Sequence, residues 1–164
     1  FHLQTLQFLV AKEIGNVLSF FILNLQKKNI MSKYVSKIFV TVDVLVINKK
    51  TDEILLIKRL NEPFKDCWAL PGGFVDENED LEQAARRELF EETNIETEEM
   101  IQIGAFGTPN RDPRGHMISV AYQTDLIDNQ IVKAKDDAKE TKWFSLNDLP
   151  DLAFDHLEII NSIL

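Results

Sequence analysis

Cysteine is almost missing from this sequence: Cys67 stands alone. That excludes a disulfide framework and a cysteine-based zinc site, and it fits a reducing, cytoplasmic compartment. Basic charge is also short. The chain holds 18 Lys and Arg against 27 Asp and Glu, for a net charge of −9, and no dense Lys/Arg stripe runs through it. A nucleic-acid duplex is therefore not an expected partner. An acidic chain that handles phosphates needs local cations or metal ions to do so. Long apolar runs are lacking too: Val17 to Leu25 falls well short of the roughly 20 residues that span a bilayer, so no membrane partner is expected. Lys12 and Glu13 interrupt the apolar stretch at the N-terminus, and no small-residue cleavage site follows it, unlike a signal peptide. There are no repeats, low-complexity tracts or interdomain linkers.

What is present suits one folded domain. Hydrophobic residues make up 45% and charged residues 27%, which excludes a disordered chain. The 164 residues suffice for one real core and are too few for two. Residues 1–30 stand apart: Lys12, Lys27 and Lys28 against Glu13 give them +2 and leave −11 for the remainder. Leu3, Leu6, Val10, Ile14, Val17, Phe21 and Leu25 recur at helical steps, an amphipathic pattern. Two readings of this extension stay open: a helix docking on the domain or on a second subunit, or sequence upstream of a natural start at Met31. The expected division is an extension over 1–30 and a single domain over 31–164.

Within the domain, Lys37 to Asn48 is rich in β-branched residues and reads as a strand. The polar turn Lys49 to Glu53 and a second strand from Ile54 to Arg59 complete a hairpin. Trp68 to Leu70 is a short apolar segment stopped by Pro71, Gly72 and Gly73. Asp80, with Gln83 three residues on, offers a capping box for a helix that runs to about Glu92, and Asn94 tolerates the left-handed geometry that ends it. Met100 to Phe106, His116 to Thr124 and Glu140 to Phe144 read as further strands. Asp155 to Leu164 closes the chain as a helix whose apolar face carries Leu157, Ile160 and Ile163 or Leu164. The element order predicts an α+β arrangement with a mixed sheet and packed helices.

The helix over 80–92 carries the chemistry. At about 100° per residue, Leu81, Ala84, Ala85, Glu88, Glu91 and Glu92 share one arc, apolar for two turns and then acidic. Like charges meet there at helical spacing, at the end where the backbone dipole disfavours negative charge. A solvated acidic surface is one reading. The other is a divalent cation, because carboxylate oxygens suit Mg²⁺ and Mn²⁺. Gly72 and Gly73 would let a backbone carbonyl approach the same ion. Arg87 is placed to hold a glutamate, and Glu79, two helical turns earlier, to receive its guanidinium.

Gly73, five residues, Glu79, seven residues, then Arg87-Glu88-Leu89, one residue, Glu91-Glu92, one residue, Asn94-Ile95 resembles the Nudix box. Asn94 stands where the pattern has its second glycine. The resemblance implies the Nudix α/β/α sandwich around a central mixed β-sheet, and water attack on a phosphorus of a nucleoside diphosphate derivative. It implies Mg²⁺ or Mn²⁺ held by Glu88, Glu91 and Glu92 with the Gly73 carbonyl, Arg87 orienting Glu88, and Glu79 bound to Arg87. The proton goes to a carboxylate: Glu88, or an acid of the C-terminal part among Asp136, Asp137, Glu140 and Asp155.

Beyond the box, Arg59, Pro63-Phe64, Trp68 to Val75, Gly107 to His116 and Leu152 to His156 look like the ADP-ribose pyrophosphatase branch. Pro109, 15 residues after Asn94, resembles that branch's downstream proline. Arg59, Arg111, Arg114 and Phe74 are then candidate substrate contacts, since guanidinium suits bidentate phosphate binding; solvated loop arginines are the other reading. Trp68, Phe74 and Phe106 would stack on adenine or pack in the core. The expected reaction splits ADP-ribose into AMP and ribose 5-phosphate. A MutT-like nucleoside triphosphate hydrolase and a non-catalytic ligand-sensing domain are the alternatives; the second carries a DNA-binding module, for which this chain leaves no room after its last helix. Similar enzymes commonly dimerise, so a homodimer is expected.

Overall fold

The computed structural model describes Ser19 and residues 37–126, 130–134 and 138–164; the expected N-terminal helix, Asp136 and Asp137 lie outside the described residues. The longest strand, β1 (Ile38–Asn48), organises the rest. Thr41 to Ile47 is buried on both faces, which is why its sequence is a continuous β-branched run rather than an alternation. Its C-terminal end pairs with β2 (Glu53–Arg59) in the expected hairpin, Ile47 opposite Ile54. Along its other edge it runs parallel to β6 (His116–Asp125) from Ile38 to Ile47.

The remaining strands attach to these. β3 (Trp68–Ala69) and β7 (Ala138–Ser145) flank β2, and β5 (Ile101–Phe106) lies antiparallel to β6. β4 (Gly72–Phe74) pairs antiparallel with β1, placing Gly72 opposite Asp43 and Gly73 opposite Val42. By sequence Pro71-Gly72-Gly73 ends the preceding apolar segment and does not read as a strand. Glycine has low strand propensity, but β1 supplies the pairing, and Val44 N–H donates to the Pro71 carbonyl at 2.8 Å.

The sheet is mixed, and among the described residues one helix packs on each face. Val42, Val44 and Val46 of β1 point to α1 (Leu81–Thr93), where they pack with Ala84, Ala85 and Leu89. Leu45 and Ile47 point the other way, to Ile159 and Ile160 of α2 (His156–Asn161). Strand alternation therefore gives β1 two apolar faces, and the arrangement is the expected α/β/α sandwich. It also puts Asp43, in step with Leu45 and Ile47, on the α2 side. No helix of the described residues is long and apolar enough to cross a membrane.

Two expected faces need correction. In α1 the fully buried Leu89 belongs to the core face, whereas the expected arc passed it by. In α2 the buried positions are His156, Ile159 and Ile160, while Leu157 is 49% and Leu164 70% exposed. A helix of 6 residues is too short for periodicity to fix which side faces in.

Candidate active site

α1 starts and stops where its sequence says. The Asp80 carboxylate accepts from the Glu82 and Gln83 N–H groups at 3.0 and 3.4 Å, satisfying donors that the first turn leaves open. Asn94 takes the left-handed conformation, φ 62° and ψ 21°, and its N–H donates to the Phe90 carbonyl. Asparagine thus does the work of the absent glycine. No basic residue lies in the last turn, so the negative pole gathers carboxylates, and the helix's own cation for them is Arg87, from the turn before.

The acids of that turn differ in setting. Glu92 is buried, and its carboxylate accepts the Gly72 N–H at 2.9 Å. Glu88 lies against Gly73 so closely that a Cβ there would sit 2.5 Å from its carboxyl group. Its side chain is 16% exposed and Glu91's 44%. Burial pushes the Glu88 carboxyl above its ordinary pKa, with Arg87 opposing and the Glu91 charge reinforcing the rise. Arg87 binds the group together. Its Nη1 donates to Glu88 at 2.7 Å and to Glu91 at 3.1 Å, and its Nη2 to the Phe74 carbonyl at 3.0 Å. Its other donors meet both oxygens of Glu79, which also accepts the Asp76 N–H. Those bonds hold the Glu79 carboxyl at about 2.

Glu88, Glu91 and Glu92 form one wall of a cavity of about 340 Å³. Among the described residues, no three His, Cys, Asp or Glu side chains enclose an ion-sized space: two of these carboxylates turn to Arg87 and the third to Gly72 N–H. The donor set nonetheless fits a hard divalent cation. It is all oxygen, it lies at the negative end of a helix, and Gly73 leaves the room beside Glu88 that any side chain would fill.

The facing wall comes from distant segments. Arg59, Arg111, Arg114 and Phe74 all line the cavity, so the structure brings the expected contacts together. Arg111 is deeply placed, its side chain 5% exposed, and it forks onto both oxygens of Asp155. Arg114 grips the buried Asp112 in the same manner. Phe74 is exposed beneath Arg114. Trp68 and Phe106 instead pack with the α2-side core.

Of the expected bases, Glu88 lines this space, Asp155 and Glu140 do not, and Asp136 and Asp137 lie outside the described residues. Asp155 is engaged by Arg111 and is absent from the lining. Glu140, on β7, faces Lys58 at 3.9 Å and is likewise absent. A buried network was not anticipated: Asp43 accepts from the Ser119 hydroxyl, and it lies 3.5 Å from His156 Nε2 and 3.8 Å from Arg111. His156 Nδ1 accepts the Leu70 N–H at 2.9 Å, just before the Gly72–Phe74 strand. One signal was available, since Asp43 is the lone acid in an apolar strand, and a buried charge demands partners.

The NUDIX domain family pattern matches residues 37–163, and the chain belongs to that family. It is 47% identical, over 84% of its length and 81% of the relative's, to an ADP-ribose pyrophosphatase of Methanocaldococcus jannaschii. Among solved structures it is similar to the NUDIX domain of Shewanella oneidensis NrtR complexed with ADP ribose. There the TM-score is 0.72 and identity 34%, covering 80% of this chain and 89% of that one. It is also similar to a bifunctional NMN adenylyltransferase/ADP ribose pyrophosphatase from Francisella tularensis, complexed with AMP and a manganese ion. That likeness has a TM-score of 0.65 and 35% identity, and covers 84% of this chain and 44% of the other.

Proposed function

We propose that this chain hydrolyses the pyrophosphate bond of ADP-ribose to AMP and ribose 5-phosphate with Mg²⁺ or Mn²⁺. One observation carries the reading: a single cavity sets three carboxylates, Glu88, Glu91 and Glu92, opposite three arginines, Arg59, Arg111 and Arg114. A diphosphate needs cations on both sides, and with Arg87 occupied by Glu79, Glu88 and Glu91 the acidic side offers the phosphates one only with a metal ion. The relative 47% identical to this chain is an ADP-ribose pyrophosphatase, which supports the choice of substrate.

In this reading Glu88, Glu91 and Glu92, with the Gly73 carbonyl, hold the cation, which when bound would neutralise phosphate charge and acidify water. Arg87 orients Glu88, and Glu79 fixes Arg87. Asn94 shapes the exit of the helix so that its last turn faces the cavity. Arg59 and Arg114 bind the diphosphate, and Phe74 covers the substrate. Arg111 presents the edge of its guanidinium not used by Asp155, so Asp155 acts by holding Arg111. The proton of the attacking water goes to a carboxylate of the helix end, Glu88 or Glu91. The free Cys67 and the acidic composition suit the cytoplasm, and the working unit is a homodimer, which size-exclusion chromatography tests.

The deciding experiment incubates the protein and Mg²⁺ with ADP-ribose and with a panel of nucleoside triphosphates, then identifies the products. AMP and ribose 5-phosphate are expected. Turnover of triphosphates alone overturns the substrate assignment.

A further inference from the structure

Two guanidiniums of the basic wall rest on one aromatic ring. Arg59 lies 4.9 Å and Arg114 5.3 Å from the centroid of Phe154. A ring face attracts a cation, but two cations sharing one ring repel each other, and that arrangement is best relieved by an anion between or beside them. Each arginine is also tied elsewhere, Arg59 to the Pro63 carbonyl and Arg114 to Asp112. Those ties come from separate loops, whereas the ring is a contact that the two heads share.

Phe154 is held in place by more than packing convenience. Its φ is 54°, in the left-handed region that bulky residues rarely enter. Phe64, whose ring meets it edge-on at 4.8 Å, has φ 61°. Backbone outliers of this kind persist where the surroundings over-determine them, and they gather at functional sites. The ring also meets His156 at 5.3 Å, so it is braced by the same buried network that holds Leu70.

We infer that Phe154 is a positioning residue for the diphosphate of the substrate, acting through Arg59 and Arg114. The inference rests on the hydrolase reading above. Phe154→Asn separates ring from backbone, because asparagine enters the left-handed region readily; it removes the ring and keeps the turn. The expected result is a KM for ADP-ribose raised about tenfold, with kcat within about twofold and no loss in Tm. Phe154→Tyr, which retains the ring, restores KM. Calorimetry with ADP as the probe gives a matching weakening of about tenfold. Should Phe154→Asn melt early, Phe154→Gly relaxes the same backbone and is read in its place.

Unchanged KM and unchanged ADP affinity in the ring-less variants overturn the inference, as does a fall in kcat at constant KM. Absence of ADP-ribose turnover by the wild-type chain counts instead against the substrate assignment. The ADP titration then still decides the role of Phe154.

Discussion

Glu79 grips Arg87 across eight residues through two parallel bonds, Nε to Oε1 at 2.7 Å and Nη2 to Oε2 at 2.8 Å. The pair joins the loop before α1 to the middle of the helix, and Arg87 passes the restraint on to Glu88 and Glu91. A guanidinium with that many fixed donors cannot swing. The glutamates it touches are therefore set before any ligand arrives, which is the usual service of a residue behind a metal ligand.

Glu79→Gln keeps the shape and loses the charge. We expect activity to fall about 10- to 100-fold, with the fold intact by circular dichroism. The acid dependence gives a second readout. The folded-state pKa of Glu79 is depressed from 4.5 to about 2, so its contribution to stability is whole above 4.5 and is lost as pH falls through about 2. The Tm gap between wild type and Glu79→Gln should narrow over that window; a gap independent of pH would count against the latch.

The two adjacent glycines should respond differently to alanine. At Gly73 an added Cβ meets the end of the Glu88 side chain at 2.5 Å, whereas at Gly72 it meets the Val42 carbonyl oxygen at 2.1 Å. A side chain can step aside and a paired strand cannot. Gly73→Ala should fold with nearly wild-type Tm and lose activity at least about tenfold, as displaced ligands do. Gly72→Ala should cost about 3 kcal/mol of stability, the upper range for overpacking. Thermal melts and rates on both variants check this, and equal melting temperatures would contradict it.

His156 makes stability depend on mild acid. Burial lowers its pKa below the ordinary 6.5, opposed by Asp43 and Asp155 and reinforced by Arg111 and Arg59. A histidine with depressed pKa contributes fully above 6.5, and that contribution drains away as pH falls toward the folded value. The ring accepts from Leu70 N–H through Nδ1, so protonation there also breaks a buried bond. Tm should drop as pH falls below 6.5. In His156→Asn, which keeps an acceptor for Leu70, the drop should be shallower; an identical slope would exclude His156 as its source.

The helix and its acids were legible because periodicity is local: Glu88, Glu91 and Glu92 repeat at helical spacing within one element, and Asp80 and Asn94 mark its ends. The parallel pairing of β1 with β6 was not legible, since it joins residues more than seventy positions apart. The partners of the basic wall were illegible for the same reason. By sequence Arg111 is a candidate substrate contact or a solvated loop arginine; its bond to Asp155 spans 44 residues, and nothing local says which carboxylate an arginine will meet. Asp155 is one of several candidate bases by sequence, and its pairing with Arg111 is invisible there. Side-chain direction there is set by how α2 docks on Leu45 and Leu56, a tertiary fact.

The central claim is that the acidic end of α1 works through a divalent cation. Initial rates of ADP-ribose hydrolysis at saturating Mg²⁺, for wild type, Glu88→Gln and Glu92→Gln, test it most directly. Both variants keep side-chain volume and lose a charged ligand, and rates should fall on the order of a hundredfold or more, with activity abolished by chelation in wild type. Rates unchanged in both variants would contradict the account.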